Sequence, residues 1–484
     1  MSLKYVSRLR PLALGRSRLY SSLPPTNRAF LASPVEGETV TINGWVRSVR
    51  KSKNVAFADI SDGTVGEPVA LVMNPDLAKS LLTGACIEAT GQVKASTGKQ
   101  AFEIEANAIK VLGPATKEYP LQKKFHTKEF LRTIPEYRWK TSTGATVMRY
   151  RSSAISKISN YFESQDFTQV SSPIITASDC EGGGEVFQIS GGKDGAEFFG
   201  PNRPAYLSVS SQLHLEVFTG ALSRVWNLAP AFRAESSDTN RHLSEFWMIE
   251  AEMAFATELD QVMTVAENMI RSAVTPLLDE ANSVIARDLL ATKKYEDKEQ
   301  KLRDRWNMLA GSKEPWKRIT YTEAVDILQG LYRENRKVFG KVRPPKWGEG
   351  LASVHEKYLA GEYFNAPVFI TDYPTSQKPF YMLGNDVVDP ERQTVSCFDL
   401  IVPEIGELIG GSMRESSHDK LVQYMTNRDM NPEDLQWYLK LREHGAFPHG
   451  GFGMGFERFI AFVTGQENIR DVIGFPRWAG SCVC

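Results

Sequence analysis

The chain has 484 residues, 42% hydrophobic and 24% charged, with a formal net charge of −1. That is the balance of an ordinary globular protein. It excludes a polycationic coat, so any nucleic-acid contact must come from local basic patches. The five cysteines are scattered and form no CxxC, the seven histidines form no HExxH, and no apolar run is long enough to cross a bilayer. Length alone suggests about three domains, or one large α/β core with an appendage.

Residues 1–22 carry Lys4, Arg8, Arg10, Arg16 and Arg18 with several serines, and no acidic residue precedes Glu36. Basic, serine-rich and acid-free is the composition of a mitochondrial transit peptide, which predicts delivery to the mitochondrial matrix. From Thr39 the chain turns to five short strand-like runs: VTINGWVRSVR, VAFADISDG, PVALVMN, CIEATGQVKAS and AFEIEANAIKVLG. Glycine-bearing turns separate them, and the spacing predicts an OB-type β-barrel over 38–113. Arg47, Arg50, Lys51 and Lys53 gather near the first turn, with Phe57 just beyond. Cations that track a phosphate backbone, beside an aromatic that stacks a base, suit single-stranded nucleic acid. Three prolines and mixed charge over 114–140 predict a hinge, leaving 141–484 as a second, larger domain.

That domain opens on ATVMRYRSSAISKISNYFESQDFTQVSSPIIT, a long amphipathic helix running into a strand interrupted by Pro173. A glycine-rich segment around Glu181 and the run SVSSQLHLE containing Gln212 follow. Arg224–Phe255 then reads as two strands joined by a polar loop, because apolar residues alternate with period two on both sides of Ser236–Ser244. In the second arm Trp247, Ile249, Ala251, Met253 and Phe255 form an apolar face, and Phe246, Met248, Glu250 and Glu252 lie opposite. Charges on an inner sheet face are costly unless something meets them, which marks this face as a ligand surface. The stretch 258–345 is helix-rich, charged and silent about chemistry. In FDLIVPEIGELIGGSMRE, Asp399 and Glu407 stand near a glycine pair and Arg414, a pattern that fits an ordinary acidic loop as well as separated carboxylates holding Mg²⁺. Finally GGFGMGFERFIAFVTGQENIRDVIGFPR is a glycine-rich strand entering a helix at Arg458; Gly451, Gly453 and Gly455 allow a flat ligand close to the backbone.

FRAESSDTNRHLSEFWMIEAEMAF resembles motif 2 of the class II aminoacyl-tRNA synthetases of the aspartate, asparagine and lysine branch, in wording most like its asparagine members. GGFGMGFERF similarly resembles motif 3, the opening helix and strand resemble motif 1, and GWVRSVRKSKNVAFADISDGT resembles the branch's anticodon-binding domain. No GxxxxGK[ST] occurs, so ATP, if bound, is not held on a P-loop. The resemblance implies an α+β fold: an OB barrel, then an antiparallel class II sheet flanked by helices. It implies a ligase that activates L-asparagine with ATP and Mg²⁺ and acylates tRNA(Asn), as a homodimer with no membrane association.

By the same resemblance Arg233 is the catalytic residue, gripping the α-phosphate. Glu235, Arg241, His242, Leu243, Phe246, Glu407, Gly455 and Arg458 join it in binding ATP. Glu181, Gln212, Glu250 and Arg414 bind the amino acid, Asp399 and Glu407 hold the metal, and Phe57 and Glu103 read the anticodon. A glutamine common near Ala70 is missing, and Met413 replaces another. An aspartate enzyme is the serious rival. Its members resemble one another in placing a lysine three residues after the binding glutamine, where this chain has Leu215.

Overall fold

The computed structural model describes residues 23–98, 100–177, 185–190, 198–200, 204–237, 239–293 and 296–484. The proposed transit peptide and Glu181 lie outside the described residues. The chain divides into two compact units, one ending at Lys124 and the other spanning Phe125–Cys484.

The first unit is a closed five-stranded barrel of β1 (Thr39–Lys51), β2 (Ala56–Ser61), β3 (Val69–Met73), β4 (Cys86–Ala95) and β5 (Phe102–Gly113), in the order β1-β2-β3-β5-β4. Each expected run forms one strand. Alternation does this work: Ile42 and Val46 of β1, Ala58 and Ile60 of β2, and Leu71 of β3 point inward and are almost fully buried, while their neighbours face out. Closure comes from β3 pairing parallel with β5, and it leaves no free edge.

The second unit is built on an eight-stranded sheet. After β6 (Thr168–Gln169) and a separate antiparallel pair, β7 (Ile175–Thr176) and β8 (Tyr206–Leu207), come β9 (Arg224–Phe232) and β10 (Glu245–Ala254). β11 (Lys317–Thr320), β12 (Val368–Thr371), β13 (Cys397–Val402), β14 (Gly406–Met413) and β15 (His449–Gly455) complete it. The order is β11-β12-β13-β14-β15-β10-β9-β6. Strands β12 to β9 are antiparallel throughout, as expected, but the two edge strands β11 and β6 join parallel. Both edges are short and are reached by crossovers rather than hairpins, which the local sequence pattern does not reveal.

Helices cover one face. Ser142–Ser164 buries Val147, Ile158 and Phe162, and Phe162 stacks on Trp226 of β9 with ring centroids 4.8 Å apart. Leu259–Leu278 and Phe456–Thr464 pack into the same core, the latter with Phe456, Phe459, Ile460 and Val463 completely buried. The opposite face of β10, β14 and β15 is left for the polar side chains.

Candidate active site

β9 and β10 pair in register, Phe246 opposite Ala231 and Glu250 opposite Asn227, so small side chains on β9 face the large ones on β10. On its other side β10 pairs with β15, placing Met248 against Gly455, Glu250 against Gly453 and Glu252 against Gly451. The glycines are therefore in line with the ligand face, as cross-strand neighbours share a side. A Cβ at Gly451 would collide with Glu252 Oε2 and the Ala251 carbonyl, and one at Gly453 would stand 2.8 Å from Met248 Cε.

A cavity of about 140 Å³ opens above these strands. It is lined by Arg233, Glu235, Arg241, His242, Leu243, Phe246, Glu407, Gly455 and Arg458. Every residue expected to bind ATP is among them, drawn from segments more than 200 residues apart. Arg233 follows β9 directly, its amide donating to Ser244 O at 3.0 Å, and its guanidinium lies 5.6 Å from the Phe246 ring centroid. Glu235 stands 4.0 Å from Arg233 and 3.3 Å from His242 Nε2. Arg458, three residues into its helix, donates to the Glu407 carbonyl at 3.2 Å and so ties the helix to β14. A flat ring has an aromatic face, cationic planes and a glycine floor here; an anionic chain has three arginines.

Asp399 and Glu407 lie on neighbouring strands, and their Oδ1 and Oε1 converge on the open side of Gly410, 3.6 and 3.5 Å from where a Cβ would sit. Lys378 clamps Asp399 with bonds of 2.7 and 2.8 Å. Burial pushes the Asp399 carboxyl up, and Lys378 opposes the rise. A third acid, Glu356, comes from the helix Ser353–Tyr358 and accepts the Glu407 amide at 3.3 Å. Partial burial, with Glu407 and Asp399 nearby, pushes it up to about 7. Carboxylates on neighbouring strands are chemistry suited to a hard divalent ion, and here both Asp399 oxygens are held by the Lys378 ammonium.

Of the residues expected to hold the amino acid, Gln212, Glu250 and Arg414 are described, and none of them lines that cavity. Glu250 is buried, its carboxylate accepting from the Ser210 hydroxyl at 2.5 Å and the Ser211 amide at 2.9 and 3.0 Å. Gln212 donates to Glu216 at 3.2 Å. Arg414 makes a bidentate pair with Glu252, both bonds 2.9 Å, and donates to Ser412 at 2.7 Å. Burial works against that guanidinium, but Glu252 more than offsets it and keeps its pKa above the ordinary value. Glu216 joins the same buried network through Arg442 at 2.6 Å and His449 at 3.0 Å. Burial alone would raise its carboxyl, yet Arg442 and His449 bring it well below the usual carboxylate range.

On the barrel, Phe57 is 36% exposed and Arg50 sits over its ring at 5.6 Å. Phe57 is in register with Val72, and Val72 with Glu105, so all three share the outer face. Glu103 faces the same way and accepts from Ser96 Oγ at 2.8 Å. Glu105, Lys378, Glu356 and the Ser210–Ser211 pair escaped the sequence reading. Each acquires meaning only from its strand register or from a partner far along the chain, and none sits in a distinctive local pattern.

Two family models match the chain: tRNA synthetases class II (D, K and N) over residues 134–479, and the OB-fold nucleic acid binding domain over 40–112. The mitochondrial asparagine–tRNA ligase of Saccharomyces cerevisiae is 41% identical over 96% of this chain and 97% of its own length. That of Schizosaccharomyces pombe is 42% identical over 95% and 98%. Asparaginyl-tRNA synthetase from Pyrococcus horikoshii, solved in complex with asparaginyl-adenylate, superposes with a TM-score of 0.82 at 29% identity, covering 96% of this chain and 100% of that one. With matches of this extent joined to the three-segment cavity, the chain belongs to the class II tRNA synthetases of the D, K and N group.

Proposed function

We propose that this chain is an asparagine–tRNA ligase of the mitochondrial matrix, with a barrel over 38–113, a hinge over 114–140 and a catalytic domain over 141–484. The observation that carries the reading is the convergence of Arg233, Glu235, Phe246 and Arg458 on one cavity beside the Asp399–Glu407 pair. The asparagine carboxylate attacks the α-phosphate of ATP and pyrophosphate leaves; a terminal ribose hydroxyl of tRNA(Asn) then attacks the acyl carbon of the adenylate, and AMP leaves. No side-chain nucleophile is needed. Arg233 meets the charge that builds on the α-phosphate, and such preorganised stabilisation supplies most of the rate. Phe246 and Arg458 flank the adenine, Glu235 accepts from its amino group, and Arg241 and His242 face the outer phosphates. Asp399 and Glu407 would hold Mg²⁺, which neutralises phosphate charge when bound.

Glu250, with Gln212 and Glu181, receives the amino acid, and Glu250 and Arg414 select the amide. The site suits an uncharged side chain: Arg414 is already neutralised by Glu252, and Leu215, where aspartate enzymes place a cation, is an almost fully buried hydrocarbon. Phe57 and Glu103 read the anticodon. A homodimer forming along the helix Ser142–Ser164 and β7 accounts for the exposure of Ile174 and Ile175, 44% and 46%. ATP–pyrophosphate exchange tests the reading: exchange should be strong with asparagine and weak with aspartate. Equal exchange with both would assign the protein to a non-discriminating aspartate enzyme.

A further inference from the structure

Asn227 of β9 lies directly opposite Glu250 of β10, so the two side chains share one face of the sheet. It is buried, only 2% exposed. Its Nδ2 donates to Ser172 Oγ at 2.9 Å, while its Oδ1 has no hydrogen-bond partner among the described residues. Ser172 comes from the segment after β6. That segment is held beside β9 by the pairing of Gln169 with Trp226 and by the Val170 amide, which donates to the Trp226 carbonyl at 3.0 Å. The hydroxyls of Ser172 and Ser211 then share a hydrogen bond of 2.6 Å. Ser211 in turn holds both carboxylate oxygens of Glu250 through its amide.

Ser211 occupies the N-cap of the helix Gln212–Leu222, where a serine hydroxyl ordinarily accepts from one of the first helical amides. Here it makes no capping bond. Ser210 Oγ accepts the Gln212 amide at 3.1 Å instead, and the Ser211 hydroxyl is turned toward Ser172. Asn227, Ser172 and Ser211 therefore form a relay from β9 to the start of the helix. It ends on the residue whose amide holds Glu250, next to Gln212.

The amide of Asn227 needs an explanation. A buried carbonyl oxygen without a partner destabilises the fold, and a leucine of similar branching would carry no such penalty. Stability does not account for asparagine at this position; the N–H that it donates to Ser172 does.

We propose that Asn227 is a positioning residue of the amino-acid site: through Ser172 it fixes Ser211, and thereby the Glu250 carboxylate and the helical turn that carries Gln212. The inference rests on the reading of Glu250 and Gln212 as contacts of the amino acid.

Misplacing a substrate-positioning group can cost about 10²-fold, and a residue acting through two hydroxyls should cost about tenfold. In the full-length protein, Asn227→Leu should therefore raise the KM for asparagine in pyrophosphate exchange about tenfold. The KM for ATP should stay within about twofold, because none of the three relay residues lines the nucleotide cavity. The melting temperature should equal or exceed that of the wild type. Ser172→Ala, a smaller change at a half-buried position, should raise the same asparagine constant. Adding it to Asn227→Leu should change that constant less than about twofold further, because residues acting through one contact are not additive.

A wild-type KM for asparagine in Asn227→Leu, alongside a raised one in Glu250→Gln, would overturn the inference alone. So would fully multiplicative effects in the double variant. A lowered melting temperature with both KM values raised together would reduce Asn227 to a structural role and overturn it too. Wild-type asparagine KM and asparagine-to-aspartate ratio in Glu250→Gln would overturn both the inference and the reading of the site beneath it. If Asn227→Leu does not fold, Ser172→Ala carries the test, and an unchanged KM for asparagine there would overturn the inference.

Discussion

Arg233 illustrates how much a single residue can carry when its surroundings are arranged for it. It follows a strand whose neighbours are small, faces an aromatic ring, and has Glu235 at 4.0 Å. Losing one preorganised donor costs about 10²–10³ in rate, and a full cation should cost at least as much. Arg233→Ala should therefore abolish adenylate formation in pyrophosphate exchange; near-normal exchange would refute the assignment. Glu250 works differently. Three hydrogen bonds from Ser210 and Ser211 fix its carboxylate, so its orientation is set before any substrate arrives. An aspartate side chain would meet it with like charge, a juxtaposition costing several kcal/mol. Glu250→Gln removes that repulsion and should narrow the ratio of asparagine to aspartate exchange by about tenfold or more, since each 1.4 kcal/mol is a factor of ten. A ratio unmoved by the substitution would place amide selection elsewhere.

Among the elements, β10 and β15 show why glycine spacing matters more than glycine number. Gly451 faces Glu252, and a methyl group there would displace the carboxylate that pairs with Arg414. Overpacking costs about 1–3 kcal/mol, and disturbing a buried pair adds to it. Gly451→Ala should lower the unfolding midpoint of the catalytic unit, whereas substitution of Gly445, whose φ is +69° with nothing within 4 Å, should cost only its backbone strain. Equal midpoints for Gly451→Ala and wild type in a denaturant titration would show that the strand can yield. The barrel offers a separate element-level test. Phe57 lies on the outer face, away from the core, so its truncation should not unfold the barrel. Losing a stacking platform costs about 1–3 kcal/mol. Phe57→Ala should weaken tRNA charging by that amount and leave pyrophosphate exchange intact. Parallel losses in both assays would remove the barrel from tRNA recognition.

For the molecule as a whole, the buried network of Glu216, Arg442, His449, Arg414 and Glu252 links the helix Gln212–Leu222 to β10, β14 and β15. Glu216 has a folded-state pKa below its ordinary 4.5. A carboxyl depressed in this way contributes stability that is present above the unfolded value and lost as pH falls below it. The protein should accordingly weaken below about pH 4.5. Glu216→Gln should flatten that acid limb while costing about 3–5 kcal/mol at neutral pH, because Arg442 loses its buried partner. A variant with the same acid limb as wild type would assign the pH dependence to other groups. The first 22 residues belong to the whole molecule in another sense. Fused to a reporter, the first 30 should direct it into mitochondria; a diffuse cytosolic signal would contradict the targeting reading.

The sequence by itself marked most of the strands and the residues that come to line one cavity. Period-two alternation set which side of β9 and β10 is core, and local motif strings marked Arg233, Glu235, Phe246 and Arg458, because those groups act from positions fixed by their own strand or helix. The barrel was legible for the same reason: five alternating runs cut by turn residues leave few other ways to bury their apolar faces. Tertiary structure decided what depends on pairing at a distance. The parallel edge strands β6 and β11, the clamp of Lys378 on Asp399, the neutralisation of Arg414 by Glu252 and the bond from the Glu407 amide to Glu356 all join segments that no local pattern connects. A charge on a helix reads the same whether it meets water or, as Glu216 does, an arginine 226 residues away, and only the fold distinguishes the two.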